Sequence, residues 1–152
     1  IEIQALLSPT AFGMPKRTGI GVDYNRLSLL MAVLEKRAGI RVSNYDAYVN
    51  VVSGIRIDEP AVDLGIALAI ASNFKDIPLP KDLVAIGEIG LTGEVRSINS
   101  IEKRVKEAEK MGFKTCILAE SARKQIKSKL NINLIGVKEL REALKVCGII
   151  DR

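Results

Sequence analysis

The sequence predicts a mixed α/β domain, and three features of its 152 residues carry that prediction. Short segments that alternate apolar and polar residues are interleaved with segments of helical period, the pattern of strands and helices layered around a sheet, with crossovers in the C-terminal half. Hydrophobic residues make up 47% of the chain, enough for one core in one domain over 1–152. Proline and glycine cluster at the joints, at 8–19 and again at 77–80.

Each element follows in order. Ile1 to Leu7 alternates as a strand from its first position, so the chain is expected to be a piece of a longer protein. Ser8 to Gly19 reads as a loop carrying two adjacent cations, Lys16 and Arg17. Asp23 or Asn25 caps a helix to about Ala38, with Leu27, Leu30, Met31 and Leu34 on one face and Gly39 at its end. A strand over Ala47–Val52 leads through Gly54 to a polar turn at Asp58, which caps a helix opening at Pro60, where a missing N–H costs nothing. That helix runs to about Ser72, apolar nearly all round, and belongs in the middle of the domain.

Val84–Ile89 and Gly93–Arg96 read as a hairpin turning near Leu91-Thr92-Gly93. Asn99 and Glu102 have capping-box spacing and open a helix that buries Ile101, Val105, Ala108 and Met111. A strand (Thr115–Ala119), a helix (Ser121–Leu130), a strand (Ile132–Gly136) and a helix (Val137–Cys147) complete the chain.

Composition removes several functions. Histidine is absent, which excludes every mechanism built on a Ser-His or Cys-His pair or a His-bound metal. Cys116 and Cys147 have neither Cys-x-x-Cys spacing nor a histidine partner and read as idle thiols. No glycine-rich nucleotide signature occurs; Gly19-Ile20-Gly21 lacks the third glycine. No apolar run is long enough to span a membrane and no signal peptide is evident, so a cytoplasmic location is expected. The net charge of +5 is matched by residues 121–152 alone, which permits an anionic partner without identifying one.

Asp58-Glu59-Pro60-Ala61-Val62-Asp63 places Asp-x-Pro and a small residue just before a very apolar helix. This resembles the nucleophile motif of Lon-type serine-lysine peptidases, Asp-Gly-Pro-Ser-Ala-Gly, with Ala61 in the serine place. Gly87-Glu88-Ile89-Gly90-Leu91-Thr92-Gly93-Glu94-Val95-Arg96-Ser97-Ile98 resembles the segment that precedes the Lon lysine, and Glu102 stands where that lysine would be. The resemblance implies a Lon peptidase-like domain of the ribosomal protein S5 domain 2-like architecture that has lost both members of its catalytic dyad. The chemistry needs both, a lysine of lowered pKa to take the hydroxyl proton and the hydroxyl to attack. Lys103 follows Glu102, but one helical residue turns a side chain by about 100° away from the old dyad. Ser100 and Ser97 are the displaced nucleophiles on which a surviving peptidase would depend, and a serine at a helix start is better explained as a cap.

Ile3–Thr10, Phe12–Arg17, Gly21–Leu27, Asp46–Val51 and Asp58–Ala61 together resemble the C-terminal Lon-like domain of the RadA (Sms) family of bacterial DNA-repair proteins, over essentially the whole chain. That family implies a zinc finger and a RecA-like ATPase in preceding domains, hence ATP, Mg and Zn outside this chain and no cofactor within it. It also implies a hexameric ring acting on recombination intermediates by branch migration, and an inactive peptidase fold.

Such a module is expected to bind single- and double-stranded DNA without sequence preference, through phosphate contacts that need clustered cations. Three groups are candidates. Lys16 and Arg17, with Arg26 a helical turn beyond, form the preferred one, since no acid neighbours them in the loop. Lys103, Arg104, Lys106, Lys110 and Lys114 decorate the helix after Asn99 and its exit, diluted by Glu107 and Glu109. Arg123, Lys124, Lys127 and Lys129 form the third group. Aromatic residues, at 4%, are too few for base-stacking platforms. A purely structural role in ring assembly is the remaining alternative.

Overall fold

A computed structural model describes residues 2–52 and 60–151. The expected α/β character is observed, as two three-stranded sheets, a short hairpin and five helices among those residues. The turn at Asp58, with its expected capping role, and Gly54 lie outside the described residues.

The first sheet has the order β1-β3-β2, from β1 (Glu2–Pro9), β2 (Arg17–Ile20) and β3 (Tyr45–Val52). Strand β3 pairs antiparallel with β1 and parallel with β2. The loop expected over 8–19 therefore contains a strand. Four residues with a central glycine give no alternation to read, and the segment becomes a strand only through its parallel ladder with β3.

Helix α1 (Tyr24–Ala38) makes the crossover from β2 to β3. Asp23 accepts the Arg26 N–H at its start, and Gly39 ends it in the left-handed region at φ 73°. Its face of Leu27, Leu30, Met31, Val33 and Leu34 is buried, each large side chain contributing roughly 1.5–3 kcal/mol by leaving water.

Pro60–Val62 forms a single 3-10 turn, and α2 (Asp63–Lys75) follows. Buried on most of its circumference, α2 packs on α1 and β1, on β4 (Leu83–Ile86) of the second sheet and on α5 (Leu140–Val146). At Gly65 an added Cβ would meet Ile3 Cδ1 at 3.0 Å, so a small residue here lets the helix approach β1.

The second sheet is all parallel, in the order β4-β7-β8, with β7 (Thr115–Ala119) and β8 (Asn133–Val137). The expected hairpin over 84–96 divides instead. Its first strand breaks at Gly87, leaving β4 in this sheet and β5 (Glu88–Ile89) paired with β6 (Val95–Arg96). Gly87 has little room for a side chain, since a Cβ would sit 2.9 Å from Val95 Cγ1.

Helix α3 (Ile101–Lys110) starts after Ser100, which holds φ 57° and makes no capping bond. The capping box is thus not formed: Glu102 accepts backbone N–H groups from across the fold. Met111, expected in the core, is 68% exposed, and Phe113 packs there instead because the chain turns at Gly112. Helix α4 covers only Glu120–Gln125, the chain leaving helical angles at Ile126, and α5 is shorter than expected. No helix among the described residues is long and apolar enough to cross a membrane.

Candidate nucleic-acid interface

The turn that resembles a nucleophile site is clipped to the second sheet. Ala61 is buried, its carbonyl accepts the Gly87 N–H at 3.0 Å, and the Gly87 carbonyl accepts the Leu64 N–H at 3.1 Å. One residue beyond Val62, the fully buried Asp63 accepts the Ile89 N–H at 3.0 Å and binds the Arg26 guanidinium, with Arg26 Nε 2.8 Å from Oδ1. Glu88 lies 3.9 Å from both Arg26 and Arg96, and Arg96 also pairs with Glu94 at 2.8 Å. The Thr92 hydroxyl and Arg96 hold the Glu94 carboxyl down to about 2. The Arg26 guanidinium, expected to face phosphate, is engaged by the buried Asp63 carboxylate and keeps 31% of its side chain exposed. A lone acid opening an apolar helix was the only sequence signal for Asp63.

Glu102, the residue in the lysine place, has a fixed structural occupation. Its Oε1 accepts the N–H groups of Lys127 (3.1 Å) and Ser128 (3.4 Å), and Lys106 lies 3.6 Å from its other oxygen. These donors, Ser128 first, hold its carboxyl below the ordinary range. Seven residues on, Glu109 accepts the Asn131 N–H at 2.5 Å. The two carboxylates lash the 127–131 segment alongside α3, from the helix's first turn to its last.

That lashing brings two of the three basic groups together. At about 100° per residue, Lys106, Lys110 and Lys103 fall beside the Glu102–Glu109 line, on the exposed side of α3. Along 127–131 the exposure alternates, so Lys127 and Lys129 face solvent while Ser128 and Leu130 turn inward. Residues 101–131 hold nine Lys or Arg against four Glu, an excess equal to the net charge of the whole chain. Lys114 and Lys124 are exposed within the same span. Arg104 donates to the Asn99 carbonyl at 3.2 Å, and Arg123 pairs with Glu120 at 2.5 Å on the surface. Such an exposed pair is worth little.

Lys16 and Arg17 belong to the other sheet and do not act as a pair. Lys16 is exposed, whereas Arg17 takes an inward position of β2, its Nε enclosed without a hydrogen-bond partner. An acid does neighbour them, contrary to expectation: Asp46 accepts the Lys16 N–H at 2.8 Å and the Thr10 hydroxyl at 3.0 Å. Asp46 lies thirty residues from Lys16 and is brought to the loop by the pairing of β3 with both β1 and β2.

Burial pushes the Cys116 thiol up to about 12 and the Cys147 thiol up to about 11. Among the described residues, no three His, Cys, Asp or Glu side chains group as metal ligands.

Comparison with known proteins supplies a family. The family model described as "ChlI: Subunit ChlI of Mg-chelatase" matches residues 26–122. The chain is 53% identical over 146 residues, 96% of its length, to DNA repair protein RadA of Halalkalibacterium halodurans. It is 52% identical over 145 residues (95%) to RadA of Bacillus subtilis, and 49% identical over 144 residues (95%) to RadA of Streptococcus pneumoniae. It spans about a third of the length of these relatives, 32% of the first two and 34% of the third. The chain therefore belongs to the ChlI-type family and is homologous, along nearly its whole length, to a third-length portion of DNA repair protein RadA.

Proposed function

We propose that this chain is a non-catalytic, DNA-binding and assembly module of a RadA-type repair ATPase, working in the cytoplasm in recombination and branch migration. The observation that carries the DNA-binding part is the exposed double row of lysines, Lys103, Lys106 and Lys110 on α3 beside Lys127 and Lys129, held in register by Glu102 and Glu109. Phosphates attract such a surface without reading sequence, so single and double strands both fit. Lys114, Lys124 and Arg123, exposed in the same span, add positive charge.

The chemistry argues for a module without peptidase activity. Ala61 has no nucleophile, and Glu102 is an acid already engaged with two backbone donors. ATP, Mg and Zn are assigned to the remaining two thirds of the longer protein, and hexameric assembly is the context in which the face meets DNA. The matched family takes its description from a Mg-chelatase subunit, and that activity is not carried over to this chain.

Fluorescence anisotropy with single- and double-stranded oligonucleotides, titrated with salt, tests the reading. About five phosphate contacts give duplex binding a log–log salt slope near −4.5. Lys103→Ala, Lys110→Ala and Lys127→Ala each weaken binding across all sequences and reduce the slope by about 1. DNA binding that survives their combination with an unchanged slope moves the interface elsewhere. Complete absence of binding at low salt leaves the purely structural role.

A further inference from the structure

The β1-β3-β2 sheet has one face on α1 and α2 and the other open. On the open face the register sets Leu6, Tyr48 and Thr18 in one row across the strands, and Gln4, Asn50 and Ile20 in the next. Leu6, Ile20 and Tyr48 are exposed, and these rows line a groove of about 230 Å³. Its lining side chains carry no charge; among the described residues the exposed Glu2, opposite Val52, lies beyond the Gln4 row, and Asp46 and the exposed Lys16 lie beyond the Leu6 row at the other end. Water gains little from such a surface, and an apolar groove with a polar rim marks a contact site.

The same chain carries a part that fits it. The β1–β2 connection holds out two large apolar side chains, Phe12 at 92% and Met14 at 85% exposure, with the exposed Lys16 two residues on. A cavity of about 150 Å³ accepts a benzene-sized ring, so this groove has room for the Phe12 ring, and the thioether of Met14 adapts to what remains. The exposed Lys16 flanks the knob, and the end of the groove away from Lys16 and Asp46 carries the opposite charge, Glu2.

We propose that Phe12 and Met14 of one copy insert into the Leu6–Ile20–Tyr48 groove of the next, with Lys16 facing the neighbour's Glu2. Knob and groove are different surfaces of one molecule, so the contact is head-to-tail and propagates into a closed ring or an open filament. The proposal rests on the assembly part of the reading above and names the surface that performs it. It also gives Lys16 a protein partner in place of DNA.

Oxidative cross-linking of cysteine variants tests it. Phe12→Cys and Leu6→Cys in the same chain are expected to produce a ladder of covalent dimers, trimers and larger species above the background of the untouched chain. The two single variants mixed together yield dimers alone, and each by itself yields only background. Phe12→Ser lowers the association constant at least about tenfold by sedimentation, as removal of a central aromatic anchor does. Absence of the ladder overturns the proposal, and so do single variants that cross-link as well as the double one, which is the mark of a face-to-face contact. DNA binding is measured on the same variants and is unchanged; its loss through the α3 lysines with the ladder intact defeats the DNA reading and leaves this one standing.

Discussion

Asp63 is the residue whose surroundings constrain it most. A carboxylate without solvent exposure persists because the Arg26 guanidinium and the Ile89 N–H satisfy it. Removing one partner of a buried pair costs about 3–5 kcal/mol, and the partial exposure of Arg26, 31% of its side chain, lowers that figure. Arg26→Ala is therefore expected to reduce the unfolding free energy by about 2–3 kcal/mol in urea titrations, without a specific loss of DNA affinity. Glu102 makes the complementary case, its carboxyl held below 4.5 by the 127–128 N–H groups. Because the folded value is the lower one, its stabilising effect is full above the unfolded value and fades as pH falls through the folded one. Thermal melts of the wild type and Glu102→Gln should differ at neutral pH and converge in acid, as pH falls through the lowered folded value. A constant difference down to strong acid would remove the tie to 127–131 as its cause.

At the level of elements, backbone conformation decides more than side-chain pattern does. Gly21, between β2 and α1, has φ +78°, and an added Cβ would stand 2.5 Å from the Val51 carbonyl oxygen. Gly13 has a similar φ of +68° with open space around it. A left-handed residue with a side chain costs roughly 1–2 kcal/mol from its backbone alone. Gly13→Ala is expected to cost about that much, while Gly21→Ala, colliding with a backbone atom of the central strand, costs about 3 kcal/mol or more. Equal melting temperatures for the two variants would show that the approach to β3 relaxes freely. Helix α1 was legible in the sequence because cap, apolar face and terminal glycine lie within it. Strand β2 was not, since all that makes it a strand is a ladder to residues about thirty positions away.

Across the whole molecule, α2 stands between two sheets and its first turn meets the Gly87 break. By the resemblance to Lon-type peptidases, such chemistry on this frame would need groups from two separate elements, a hydroxyl at position 61 and a base from α3. Ala61→Ser supplies only the first, with Glu102 still lashed to 127–128. The variant and the parent chain should both remain unlabelled by a serine-reactive phosphonate, by intact mass. A labelled parent would revive Ser97 or Ser100 as a nucleophile. The excess positive charge of residues 101–131, by contrast, lies along α3 and the 127–131 segment tied to it; in the proposed reading a long polyanion meets several of these lysines at once.

The sequence by itself determined the α/β class, α1, α2 and most of the central strands. These follow from local periodicity or from side-chain identity, which are complete in the chain. Only the tertiary structure decided that Arg26 serves Asp63, that Glu102 and Glu109 join two basic groups into one face, and that Arg17 turns inward while Lys16 does not. Each depends on partners across the fold, from the 22 residues between Glu109 and Asn131 to the 37 between Arg26 and Asp63. A carboxylate binds whichever donors folding brings to it, and a capping-box spacing cannot register that two better-placed N–H groups arrive from another segment.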